Sequence, residues 1–164
     1  MLFSDESYKN AEACRFCWMC RHVCPAVGVT GNETWTPHAR GLLISMEKRG
    51  MPFEESMAKA MYMCCLCDAC ATNCETGWKP SVYIREARTV AVAQGIAPAG
   101  VDEAIGNILE TGSIRAEKRD AEVAAAVEKL PEKADVLLYL GNTASSRCPG
   151  SALAVISLLR KAGV

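Results

Sequence analysis

Eight of the ten cysteines form two copies of one spacing, and this repeat constrains the chain more than any other feature. Each copy has the pattern Cys-x2-Cys-x2-Cys-x3-Cys, which is typical of [4Fe–4S] clusters in bacterial proteins. In such runs three cysteines bind one cluster and the fourth binds the other. The spacing therefore predicts two [4Fe–4S] clusters. The predicted ligand sets are Cys14, Cys17, Cys20 and Cys74 for cluster 1, and Cys64, Cys67, Cys70 and Cys24 for cluster 2.

The two copies differ after their fourth cysteine. Pro25 follows Cys24, and a proline disfavours helical backbone at the residue before it, so the Cys24 thiolate is expected to turn away from its own copy. Glu75 follows Cys74 instead. The assignment of Cys74 therefore depends on its spacing alone.

Two other uses of the cysteines fit less well. A structural zinc site typically takes four ligands as two separated pairs, which leaves the third cysteine of each copy unexplained. A disulfide framework requires an oxidising compartment, and residues 1–6 have neither the basic start nor the apolar segment of a signal peptide. We therefore expect a cytoplasmic protein. No apolar run is long enough to span a bilayer, so any membrane association is expected to arise through a partner.

Charge and motifs exclude further classes. The net charge of −1 and the absence of a basic run argue against nucleic-acid binding. No glycine-rich nucleotide loop is present, and no nucleophile–base pair can be assigned, so no catalytic residue is predicted. Whether the chain is an enzyme by itself stays open, and a non-catalytic electron-transfer role is expected.

Helical patterns dominate the remaining sequence. Thr36 is a suitable N-cap with Pro37 at the first helical position, and Gly50 is a suitable stop. The predicted fold class is mainly α, followed by a small α/β segment at the C-terminal end. Helices are predicted at 37–49, from Pro52 into the second cysteine copy, and at 80–94, 101–110, 115–130 and 151–162, with one strand at 136–140.

With its two copies on helices and a long helical spacer, the chain resembles the α-helical ferredoxin family over residues 8–112. Members of this family include the iron–sulfur subunits of heterodisulfide reductase, glycolate oxidase and anaerobic glycerol-3-phosphate dehydrogenase. The resemblance implies an electron-transfer subunit of an oxidoreductase. Its electrons would pass from a flavoprotein dehydrogenase partner to a quinone, disulfide or carrier acceptor. The alternative is a regulatory module that senses redox state or oxygen.

Residues 134–164 resemble the start of the CCG (cysteine-rich) domain that follows in larger relatives. Gly141-Asn142 and the end of the chain at 161–164 are similar to the Gly-Cys and Lys-x-Gly-Val of that domain, with asparagine in place of its first cysteine. The resemblance implies a ferredoxin domain at 1–112, a helical linker at 113–133 and an incomplete CCG-like segment. Because one strand cannot form a sheet, a CCG-domain-containing partner is expected to complete it.

Charged residues beside the cysteines differ between the copies. Arg15, Arg21 and His22 accompany the first copy, whereas Asp68 and Glu75 accompany the second. Positive charge favours the reduced, more negative form of a cluster. Cluster 1 is therefore expected to have the higher potential.

Other residues near the copies have more ordinary expected roles. Trp18 and Trp78 are expected to shield the clusters from water, and His38 is expected on a helix surface. Cys65 is expected to be a buried thiol beside Cys64, and Cys148 an ordinary cysteine.

Overall fold

The computed structural model describes residues 1–130 and 133–163, and its regular structure is helical throughout that part of the chain. The predicted mainly α fold class is confirmed. Two compact units are formed, Met1–Val101 and Asp102–Val164. None of the described helices is long and apolar enough to cross a membrane. The helices are α1 (Asp5–Glu12), α2 (Pro25–Thr30), α3 (Pro37–Lys48), α4 (Glu55–Tyr62), α5 (Ala69–Thr72), α6 (Ser81–Ala93), α7 (Val101–Thr111), α8 (Ala121–Glu128), α9 (Gly141–Ser146) and α10 (Pro149–Ala162).

Helices α1, α3, α4 and α6 enclose the core of the first unit. As predicted, Thr36 caps α3: its side chain accepts a hydrogen bond from the Ala39 backbone N–H, and Pro37 occupies the first turn. Gly50 has a φ of 99°, a left-handed conformation that suits glycine and ends the helix. The helix expected from Pro52 begins a little later, at Glu55. These helices form the frame on which both cysteine copies lie.

Helix α1, which sequence patterns did not predict, is attached to the core by polar contacts. Ser4 caps it and donates from its backbone N–H and hydroxyl to Glu86 on α6, at 2.7 and 2.8 Å. Ser7 also donates to Glu86, and Tyr8 donates to Glu47 on α3. These contacts join the N-terminal segment to two of the core helices.

The second unit contains α7 to α10. Asp120 caps α8 by accepting from the backbone N–H groups of Glu122 and Val123, and α8 packs against α10. The helix predicted at 115–130 therefore begins only at Ala121. The buried side chains of this unit include Val123 and Ile156.

The strand predicted at 136–140 is not formed among the described residues. This segment is irregular, and Leu137 is 93% exposed. A strand needs a neighbour to satisfy its backbone groups, and this unit supplies none within the described residues. The predicted α/β segment is thus helical where it is regular, in α9 and α10.

The boundary between the two units lies between Val101 and Asp102, after the first residue of α7, whereas the boundary predicted from the sequence is at residue 112. All of α7 except Val101 lies in the second unit, as does α8 within the predicted linker at 113–133, and the predicted domain bounds stay a prediction. Residues 131–132 of the linker, and Val164 at the end of the CCG-like segment, lie outside the described residues.

Candidate metal centres

The eight predicted ligands line two cavities, each bordered by three cysteines of one copy and the fourth cysteine of the other. The first cavity, of about 160 Å³, is lined by Cys14, Cys17, Cys20 and Cys74. The second, of about 20 Å³, is lined by Cys24, Cys64, Cys67 and Cys70, and also by Cys65, which is not a predicted ligand. The structure therefore brings together the two crossed sets that the spacing predicts. Their role as ligands stays a prediction.

Both copies curl with the same unusual backbone. Phe16 and Trp18 have φ values of 53° and 66°, and Leu66 and Asp68, at the matching positions, have 54° and 55°. A left-handed conformation costs an L-residue roughly 1–2 kcal/mol. Its repetition at two positions of two separate loops indicates that the curl serves the cysteines, because strained backbone is concentrated at functional sites.

The curl points backbone N–H groups at the sulfurs. The Phe16 N–H donates to Cys14 Sγ at 3.4 Å, and the Leu66 N–H donates to Cys64 Sγ at 3.3 Å. In addition, Cys20 accepts a hydrogen bond from the backbone N–H of His38. Such donors stabilise negative charge on sulfur. Each site therefore has N–H groups suited to thiolate ligands.

The fourth cysteines reach the opposite site through different local structures. Cys24 precedes α2 with extended backbone (φ −83°, ψ 114°), as expected before Pro25. Near the end of the second copy, the Asn73 side chain donates to the Met19 carbonyl at 3.0 Å, which connects it to the first loop. The residue after it, Cys74, has its Sγ 3.2 Å from the hydroxyl of Thr76. A side-chain contact and a turn thus replace the missing proline.

The thiols differ in how readily they ionise. Burial raises the pKa of Cys14 and Cys20, and it raises the pKa of Cys70 to about 12, with further increases from Cys64 and other nearby thiols. Burial also opposes ionisation of Cys74, but hydrogen bonds from Thr76 and the following backbone lower its pKa overall. Buried thiolates this close together need positive charge nearby, which metal ions provide.

The first turn of α3 contributes to both sites. Pro37 and Arg40 line the second cavity, and His38 lines the first. Tyr83, which is fully buried, donates from its hydroxyl to the Pro37 carbonyl at 3.2 Å. One helical turn therefore supports both cysteine sets.

Three buried polar atoms that line the cavities have no hydrogen-bond partner within the described residues. The atoms are Nη2 of Arg40, which lines the second cavity, and Nε1 of Trp78 and Nδ1 of His38, which line the first. Buried polar groups are nearly always bonded, so each such atom indicates a missing partner. A [4Fe–4S] cluster has sulfur acceptors suited to N–H donors, and each cavity is lined by the four thiols of one predicted ligand set. The residues present therefore fit such a group chemically.

The second cavity is the narrower of the two. Its volume of about 20 Å³ accommodates roughly one water molecule. A group as large as a cluster requires outward rotation of the side chains around it. Cys67, which is exposed, can make that movement without disturbing the core.

Several expectations about neighbouring residues are corrected. His38 is buried rather than on the helix surface, because the first turn of α3 packs against the first loop, and the ring centroids of His38 and Trp18 are 4.1 Å apart. Burial lowers the pKa of His38. Trp78 is 2% exposed, as expected of a shield, but Trp18 is 48% exposed. Cys65 is exposed, contrary to expectation, because its side chain is out of phase with the ligand positions.

Two arginines lie near the second site, and no sequence pattern predicted that they would. Arg40 is buried, and Arg88 on α6 donates to the carbonyls of Met61 and Cys64, at 2.9 Å for the Met61 contact through Nη2. Within helical segments both arginines are indistinguishable from surface residues. Only the packing of α3 and α6 brings them to the second cysteine copy.

Within the part of the chain that the structure describes, no three His, Cys, Asp or Glu side chains are arranged to hold a single metal ion. The ligands of one zinc ion converge at about 2.3 Å from it. In a cubane cluster each thiolate binds a different iron, so the four sulfurs surround a larger group.

Comparison with known proteins identifies one family. Residues 10–78, which include both cysteine copies, match the model of the 4Fe-4S dicluster domain. No curated protein matches the chain at a significant level. The family match supports [4Fe–4S] binding and places residues 10–78 with the iron–sulfur, ferredoxin-like proteins.

Proposed function

We propose that the chain is an iron–sulfur electron-transfer subunit that binds two [4Fe–4S] clusters through the crossed ligand sets. It belongs to a multi-subunit oxidoreductase and relays electrons from a flavoprotein dehydrogenase partner to a quinone, disulfide or carrier acceptor. Within the ferredoxin-like proteins, we assign it to the group that contains the iron–sulfur subunits of heterodisulfide reductase and glycolate oxidase. A bound cluster supplies one-electron transfer at a potential set by charge, hydrogen bonds and exposure.

The observation that supports this proposal most is the composition of the two cavities. Each is lined by three cysteines of one copy and the fourth of the other, and each is lined by a residue with a buried polar atom that has no partner among the described residues. A regulatory module needs only one labile cluster. Two sites supported by the same turn of α3 favour conduction through the chain.

The chain's own residues have three tasks in this function. The N–H groups of Phe16 and Leu66 donate to ligand sulfurs. Trp78, almost fully buried at the first cavity, excludes water from it. The carbonyl contacts of Arg88 hold the beginning of the second copy against α6. No residue of the chain is assigned a part in substrate chemistry.

An exposed apolar loop at the first site supports contact with a redox partner. Phe16, Trp18 and Met19 are each about half exposed, and Cys17 between them is exposed as well. Exposed aromatic and methionine side chains are enriched at protein interfaces. Electrons can therefore be exchanged here across a short distance, and we assign this loop to the flavoprotein dehydrogenase.

A second contact is proposed for the segment 136–140. Its apolar side chains are largely exposed, and the backbone of 136–139 makes no hydrogen bond to another segment within the described ranges. Pairing with the sheet of a CCG-domain-containing partner covers the side chains and satisfies the backbone. The ten cysteines are free of disulfides in the structure, and they support a reducing, cytoplasmic location.

Anaerobic reconstitution with iron and sulfide tests the ligand sets. The proposal predicts about eight iron atoms per chain, and low-temperature EPR signals from two reduced clusters. Cys17→Ala/Cys74→Ala changes two ligands of the same cluster and retains about four iron atoms. Cys17→Ala/Cys24→Ala changes one ligand of each and retains almost none. Uncrossed ligation predicts the reverse result for the two pairs.

Cys65→Ala and Cys148→Ala serve as matched controls, because neither thiol is in a ligand set, and both are expected to retain all the iron. A chain that keeps its iron through repeated reduction and oxidation by a flavoprotein supports electron transfer. A chain whose activity changes only when a cluster is lost supports the regulatory module instead.

A further inference from the structure

The charged side chain of Arg40 is buried, which is unusual for an arginine without an ion-pair partner among the described residues. Its side chain is 1% exposed, and its Nε donates to the Ala60 carbonyl on α4 at 2.7 Å. The Nη2 atom is buried and has no partner within the described residues. Arg40 also lines the second cavity together with Cys24 and Cys64. The Ala60 contact therefore anchors the guanidinium, while Nη2 is left without a partner in a residue that lines the cavity.

No carboxylate of the described residues forms an ion pair with Arg40, including Asp68, which lines the same cavity. The ion pairs found in residues 1–130 and 133–163 join other side chains, and none includes Arg40. A buried charge without a partner is strongly disfavoured. Four thiolates around a [4Fe–4S] core of about +2 give a net charge of about −2, which increases on reduction. An anionic group in the second cavity is thus the partner that Arg40 lacks.

Two charged residues, Arg15 and Glu75, line the first cavity, but both are exposed, so neither is a buried charge comparable to Arg40. Trp78 supplies a neutral indole N–H there. Arg21 lies beside Cys20 in sequence, but it is exposed and paired with Glu33 at 2.6 Å. Solvent and the paired carboxylate screen its charge.

We propose that Arg40 donates from Nη2 to the cluster bound by Cys24, Cys64, Cys67 and Cys70, and that its charge makes this cluster the more easily reduced of the two. This inference rests on the proposed function, since it requires both clusters. It reverses the order expected from the residues that flank the copies in sequence, because burial counts for more than proximity along the chain.

An EPR-monitored redox titration of the reconstituted chain tests the inference. Arg40→Gln is expected to lower the equilibrium constant for reducing one cluster at least tenfold, which is 59 mV for a one-electron couple. Arg21→Gln removes the same charge from the surface and is expected to change neither cluster as much. Repeating Arg40→Gln in Cys17→Ala/Cys74→Ala, which keeps the second cluster alone, assigns the shift.

A second measurement needs no change at Arg40. In Cys17→Ala/Cys74→Ala labelled with [15N]arginine, pulsed EPR of the reduced cluster is expected to detect coupling to an arginine nitrogen. Absence of that coupling overturns the proposal, as does an Arg40→Gln chain that binds the second cluster at an unchanged potential. A chain that never binds two clusters instead refutes the proposed function, and the iron count distinguishes the two failures.

Discussion

Gly41 on α3 packs against Trp78, Tyr83 and Ala11, and Gly41→Ala tests how tightly that region is packed. A Cβ atom there would lie 3.0 Å from Trp78 Cζ2, 3.2 Å from the Tyr83 hydroxyl and 3.4 Å from the Ala11 carbonyl oxygen. Trp78 and Tyr83 are buried, and their ring centroids are 6.2 Å apart. Neither ring can move away without disturbing the other.

The magnitude follows from two opposing terms. Alanine gains about 0.5–1 kcal/mol over glycine inside a helix, whereas overpacking a core costs typically about 1–3 kcal/mol. We therefore expect Gly41→Ala to lower the free energy of unfolding of the first unit by about 1–2 kcal/mol. Gly106 on α7 is the matched control, since nothing lies within 4 Å of its Cβ position. Gly106→Ala is expected to stabilise the second unit by about 0.5–1 kcal/mol.

Native-state hydrogen exchange is the suitable assay, because it reports local stability in a protein whose cofactors make global unfolding complex. Amides of α3 and α6 should exchange faster in Gly41→Ala, and amides of α7 should exchange more slowly in Gly106→Ala. The packing argument is refuted if both substitutions stabilise their units. It is also refuted if Gly41→Ala leaves exchange in α3 and α6 unchanged.

Three further predictions concern caps and the α1 attachment. Thr36→Ala removes the cap of α3 and should cost about 1–2 kcal/mol in the first unit, measured by hydrogen exchange, with altered EPR signals because this helix borders both sites. Asp120→Ala removes two capping bonds of α8 and should cost about 1 kcal/mol in the second unit, with unchanged EPR signals. Burial opposes ionisation of Glu86, but hydrogen bonds from Ser7 and Ser4 lower its pKa overall. Its contribution to stability is therefore present above the unfolded pKa and is lost as the pH falls through the lower folded pKa. At pH 7, Glu86→Gln should accelerate exchange in α1, and Ser7→Ala should do so less.

These predictions have clear contrary outcomes. Equal effects of Thr36→Ala and Asp120→Ala on the EPR signals contradict the separate roles of the two caps. Unchanged α1 exchange in Glu86→Gln at pH 7 contradicts the attachment of α1 through its serines.

Much of the site follows from local sequence, because the spacing of cysteines limits which of them can surround one group. The crossed sets and the extended backbone at Cys24 were predictable from the spacing and from Pro25. The curl at Phe16 and Leu66 was not, since neither residue favours left-handed backbone. The strand at 136–140 was also predicted from the sequence and is not formed. An apolar pattern indicates only a tendency to form a strand, and the strand needs a neighbour to pair its backbone groups.

The amino-acid sequence alone determines the helical class, the eight candidate ligands and their division between two sites, since these depend on short spacings and caps. Tertiary structure decides what surrounds those ligands. It buries Arg40 at the second cavity and His38 and Trp78 at the first, and it pairs Arg21 with Glu33 at the surface. The electrostatic effect of a charged side chain on its neighbours depends on how deeply it is buried and on which groups pair with it. Residues distant in sequence determine both.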